Sequence, residues 1–116
     1  MVPAKPMWRR RIPVTAYSVD VRLRLRTHGS QRVDTLLDDF MEALADIDEA
    51  DESLLDWSVG ADTGTLVMDV DLTVSAPHHA DAIAHAHGAV RRAAEIAERS
   101  GAGAFEDADN DIAVFA

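Results

Sequence analysis

Four of the five histidines, His78, His79, His85 and His87, fall within ten residues. Imidazole can both ligate a divalent metal and move a proton near neutral pH. On a helix, His78, Asp81 and His85 share a face at steps of three and four, which would suit a His-Asp-His set around a divalent ion. His79 lies at the edge of the buried stripe of that helix and His87 flanks it. The competing explanation is the solvated start of an alanine-rich helix, because zinc sites usually recruit ligands from more than one element.

Other groupings are weaker. His28 and Ser30 could pair as base and nucleophile, but no glycine-bounded elbow surrounds Ser30, and capping of the following helix accounts for it. Residues 107–111 resemble the opening of a calcium loop; Ile112 stands where the loop needs glycine, and no bidentate Glu follows. Trp8 beside Arg9, Arg10 and Arg11 could stack on a base or enter a membrane interface, although a tail or a latch between subunits explains one aromatic as well. Arg22 and Arg24, with Arg26, could bind an anion on a sheet face. Asp69 and Asp71 should neutralise most of that field.

The elements that would hold these residues follow from periodicity. Residues 14–26 alternate, with Val19, Val21, Leu23 and Leu25 on one face and Asp20, Arg22, Arg24 and Arg26 on the other, the signature of a half-buried strand. After a turn at residues 28–30, a helix is predicted over 31–50. Val33, Leu37, Phe40 and Leu44 form its apolar line, flanked by Leu36, Met41 and Ile47. A second strand spans 54–61 with Leu55, Trp57 and Val59 inward, followed by a turn at 62–64 in which glycine is expected to supply positive φ. A third strand spans 65–75, alternating like the first and carrying Asp69 and Asp71. Pro77 opens a second helix that Gly101 stops, with Ile83, Ala86, Val90, Ala93 and Ala97 buried. Gly88 falls on its polar side. An acidic loop, 106–111, leads to a short edge strand over 112–115.

Strand, helix, strand, strand, helix, strand is the order of the split βαβ arrangement. The pattern resembles the ferredoxin-like superfold over residues 14–116: an α+β two-layer sandwich, sheet order 4-1-3-2, both helices on one face. The first and third strands are then adjacent, and the register expected for them sets Arg22 opposite Asp71 and Arg24 opposite Asp69. Residues 1–13, with three of the four prolines, read as an extended basic arm.

Charge is divided sharply along the chain. Eight basic residues and one acidic residue lie in 1–32, against three and twenty in 33–116, for a net charge of −10. An acidic chain is a poor nucleic-acid binder. On the first helix Asp34, Asp38, Glu42 and Asp46 repel one another at i,i+4 spacing, and Arg9, Arg10 and Arg11 are the basic group available to compensate. There is no cysteine, so disulfides, zinc-thiolate sites and thiol nucleophiles are excluded. No apolar run matches a signal peptide or a membrane span, and a cytoplasmic setting is expected.

The ferredoxin-like superfold serves metal carriers, ligand sensors, RNA-binding domains and small enzymes. Metal carriers of this fold need a Cys pair, and RNA-recognition domains need aromatics on the open sheet face; this chain has neither. The expectation is a non-enzymatic module for protein interaction or small-ligand regulation. It would need no cofactor and would assemble as a homo-oligomer, first as a dimer, or with another protein. The alternative is a small enzyme or divalent-metal binder using His78, Asp81 and His85, or His28.

Overall fold

A computed structural model describes residues 14–27 and 31–115, with side chains for 14–27 and 33–106. The elements are β1 (Thr15–Thr27), α1 (Gln31–Ala50), β2 (Leu54–Asp62), β3 (Val67–Ala76), α2 (His79–Glu98) and β4 (Gly103–Phe115). They form one antiparallel sheet in the order β2-β3-β1-β4, with β1 and β3 at its centre. The two helices pack on each other and on the strands. This is the ferredoxin-like α+β sandwich. The arm that carries Trp8, Arg9, Arg10 and Arg11, together with His28 and the Ser30 cap, lies outside the described residues.

The inward side chains of the alternating strands meet the helices in one core. Val19, Val21, Leu23 and Leu25 of β1 and Met68, Val70, Leu72 and Val74 of β3 are buried, as are Leu36, Phe40 and Leu44 of α1. Phe40 meets Phe105 of β4 with ring centroids 5.2 Å apart. On α2 the buried stripe is almost all alanine, Ala82, Ala86, Ala89, Ala93, Ala94 and Ala97 with Val90. Small side chains let this helix lie close to the sheet and to α1. No buried side chain among the described residues is polar or charged.

Several details depart from the sequence reading. The β1–β3 register sets Arg22 opposite Asp69, Asp20 opposite Asp71 and Arg24 opposite Val67, two residues from the expected pairing. A two-residue slip keeps every side chain on its own face, so alternation could not choose between the two. The choice follows the apolar pairs Val19–Leu72, Val21–Val70 and Leu23–Met68, and the hydrogen bond from Leu25 N to Leu66 O, 2.7 Å. An exposed charge pair contributes only about 0.2–1 kcal/mol and yields to that packing.

On α1 the buried line runs through Leu36, leaving Leu37 half-buried and Met41 exposed. In β2 a register shift between Leu54 and Asp56 gives the core position to Leu54 and leaves Leu55 53% exposed. The β2–β3 turn is tied by Gly64 N and Thr65 N, both donating to Asp62 Oδ1, and its positive φ belongs to Leu66 (58°) rather than to Gly64. β4 begins at Gly103, well before the short edge strand expected, and absorbs the acidic run through a register shift: Leu23 pairs with Asp107 and Val21 with Ile112. Gly101 does end α2, with φ 78° and its N–H on Glu98 O at 3.1 Å.

Candidate functional site

The histidine-rich segment forms the start of α2, and the fold sends its members in different directions. His78 is the exposed N-cap residue, in extended conformation, and makes no side-chain cap bond. His79 is exposed and rests against Tyr17, ring centroids 4.8 Å apart. Asp81 is exposed in the first turn. His85 points into the seam between the helices, where Asp51 takes it. Among the described residues no group of three His, Asp or Glu side chains is placed to hold a metal ion.

Asp51 is positioned by the end of α1. The helix stops at Ala50, Asp51 N donates to Asp48 O at 3.3 Å, and Ser53 N donates to Asp51 Oδ1 at 3.0 Å. A carboxylate tied to its own backbone in this way loses little further freedom when its other oxygen is used. That oxygen, Oδ2, lies 2.5 Å from His85 Nε2. A carboxylate can only accept, so Nε2 carries the hydrogen, and in the neutral ring Nδ1 is left as an acceptor. The pair is partly shielded, with side-chain exposures of 37% for His85 and 24% for Asp51.

Around this pair an open groove of about 420 Å³ runs between the helices. Ala43, Asp46, Ile47 and Ala50 of α1 form one wall, and His85, Arg92 and Ile96 of α2 the other, with Asp51 at the end. An adjoining recess of about 220 Å³ reaches Ala84, Gly88 and Ala89. Small residues on both helices create the space: a Cβ on Gly88 would meet nothing within 4 Å, so packing does not require glycine there. The groove therefore presents a carboxylate-held imidazole, a guanidinium, an acidic group and an apolar floor. This combination can orient a small molecule carrying both an anionic and a cationic group.

The open face of the sheet is the other charged region. Arg22 Nε donates to Asp69 Oδ1 at 2.8 Å, and Arg26 Nε to Glu106 Oε1 at 2.9 Å. Arg24 is exposed and has no ion-pair partner among the described residues. Asp20 faces Asp71 directly across β1 and β3, and its Oδ1 is buried with no hydrogen-bond partner among the described residues. Partial burial raises the pKa of Asp20 above its ordinary value, and the charges of Asp71 and Asp69 add to the rise, against Arg22, which lowers it. No described helix is long and apolar enough to cross a membrane.

Of the residues singled out by sequence, the structure thus ties His85 to Asp51, does not assemble His78, Asp81 and His85 as a metal-holding group, and pairs Arg22 with Asp69. Nothing local marks Asp51 or Arg92 as a site residue. Asp51 is one acid among several at a helix end, and Arg92 is spaced seven residues from His85, on the same helical face. That spacing was the one signal available. Comparison with protein families, with curated proteins and with solved structures found no match for this chain.

Proposed function

We propose that this chain is a non-enzymatic, self-associating module that binds a small zwitterionic or carboxylate-bearing metabolite in the groove between α1 and α2. The observation that carries the reading is the juxtaposition, around one open cavity, of the Asp51-held His85 and Arg92 on one side with Asp46 and an apolar floor on the other. Arg92 would take the ligand carboxylate, the acidic group of Asp46 an ammonium, and Ala43, Ile47 and Ile96 the carbon skeleton. Pockets that combine an apolar lining with a few placed polar groups are the usual form of small-molecule sites.

The test is a titration of the protein with a panel of amino acids and small mono- and dicarboxylates, followed by calorimetry and amide chemical shifts. Binding is expected to move amides at the facing ends of α1 and α2 and to weaken about tenfold or more in Arg92→Ala, consistent with loss of a charged hydrogen bond of about 1.5–3 kcal/mol. Panel-wide absence of binding, or shifts confined to another surface, would remove the reading.

The His85–Asp51 pair also supports a second reading, in which His85 Nδ1 acts as general base on a bound substrate. A turnover that is lost in His85→Ala and reduced in Asp51→Asn would establish it. Binding without turnover in both the parent and these variants would leave the first reading alone.

A further inference from the structure

Between residues 33 and 77 the chain carries thirteen acidic side chains and no Lys, Arg or His. On the open sheet face, Asp69 and Asp71 of this stretch at least share the surface with Arg22, Arg24 and Arg26 of β1. The outer flank of α1 has no such company. Asp34, Asp38, Glu42, Asp48 and Glu49 fall on that flank by helical spacing, and the one basic residue of α1, Arg32, stands in its first turn.

The same flank is apolar where it meets the sheet. Leu37 and Met41, one turn apart, lie on the side of α1 away from Ala43 and Ala50, which face α2 across the groove. Their side turns toward β2, which α1 also touches. Trp57 and Val59 of β2 pair with the buried Leu72 and Val70, so they point to the covered face, yet β2 is a sheet edge and both stay half-buried. Met41 is exposed, as is Leu55 at the start of the strand. An apolar strip with an acidic rim thus follows the border of α1 and β2.

We propose that the basic N-terminal arm of the same chain, residues 1–13, docks on this strip. The arm has the complementary composition: Lys5, Arg9, Arg10 and Arg11 with no acid, and Met7, Trp8 and Ile12 among them. Its point of departure also fits. Thr15 pairs with Ala76 and Leu54 with Val74, so β1 and β2 start at the same end of the sheet, two strand spacings or about 10 Å apart. The end of α1, Ala50, leads into β2 there.

Extended chain covers about 3.3–3.6 Å per residue, which carries the three arginines roughly 10–18 Å from Val14 and Trp8 about 20 Å. Met41 lies nine residues back from Ala50, about 14 Å along the helix axis. The arginines therefore reach the acids of the last turns of α1, and Trp8 reaches Met41. Docking of this kind offsets the like-charge repulsion along α1 and covers the edge of the core at Trp57. The groove opens on the other side of α1, so this inference stands apart from the ligand reading.

The test uses the absence of cysteine: Ala4→Cys in the full chain gives a single site for a spin label. At low ionic strength, paramagnetic broadening should fall on the amides of α1 and β2 and spare β4, the opposite edge of the sheet. Arg9→Glu, Arg10→Glu and Arg11→Glu combined should abolish that pattern, as should salt of about 1 M, where the Debye length is about 3 Å. Met41→Lys, which sets a cation in the strip, should weaken it with the fold intact by circular dichroism. Broadening centred on β4 or spread evenly over the surface, or a pattern that survives the arginine reversals, would overturn the docking. Spin-labelled chain mixed with isotope-labelled chain that carries no spin label provides the control: broadening of α1 and β2 in that mixture would put the arm on a second copy and overturn docking within one chain.

Discussion

The two faces of the sheet are built from the same strands with opposite physics. On the covered face every second side chain from Tyr17 to Leu25 of β1 and from Met68 to Ala76 of β3 is buried, aliphatic over most of that length, and Phe40 and Phe105 close the layer against α1. On the open face the same strands present Asp20, Arg22, Arg24, Asp69 and Asp71, with the Arg22–Asp69 ion pair satisfied and one carboxylate pair opposed. The covered face fixes where each strand sits. The open face must accept the register so imposed, and Asp20 opposite Asp71 is the result.

If that division holds, the largest effects should come from the covered side. Phe40→Ala removes a fully buried ring and should cost about 3–5 kcal/mol in urea unfolding; a loss under about 1 kcal/mol would mean that the layer is not packed as described. Gly103→Ala comes next. A Cβ there would fall 2.2 Å from the carbonyl oxygen of Arg26, so the start of β4 must move, at about 1–3 kcal/mol. Its melting temperature, compared with that of a Gly60→Ala control whose Cβ meets nothing within 4 Å, gives the check.

The open face should respond less, and at Asp20 in the opposite direction. Because the Asp20 pKa is raised in the folded chain, the folded state holds this proton more tightly than the unfolded state. The Asp20 penalty is therefore full at neutral pH and is relieved as pH falls through the raised value toward the ordinary aspartate range, about 4. Asp20→Asn should then stabilise the dilute, monomeric chain at pH 7 by about 0.2–1 kcal/mol, the scale of a cross-strand pair. The gain should vanish toward pH 4; a gain independent of pH would assign it to something other than charge. Smallest of all, Arg22→Ala breaks an ion pair exposed on both sides and should cost about 0–1 kcal/mol, with what remains screened away in high salt.

Much of this was legible in the chain. Alternation at 19–26 and 66–74 identified the two central strands and their faces, and a 3.6-residue stripe identified α1 over its observed length. The groove was only half legible. Histidine clustering pointed to α2, but the partner of His85 was expected four residues away at Asp81 and was found thirty-four residues away at Asp51. Helical spacing speaks only of one helix, whereas the seam between α1 and α2 is set by the small residues that bring them together.

Sequence periodicity alone determined the order of elements, the strand neighbours and, in β1 and β3, which side chains face the core, because burial selects residue type with the period of each element. Register, the Leu54 shift, the length of β4 and the pairing of His85 with Asp51 were decided only in the tertiary structure. Each is a choice between arrangements that leave the local pattern unchanged. Long-range packing decides among them, through apolar contacts whose summed burial outweighs any single charge pair.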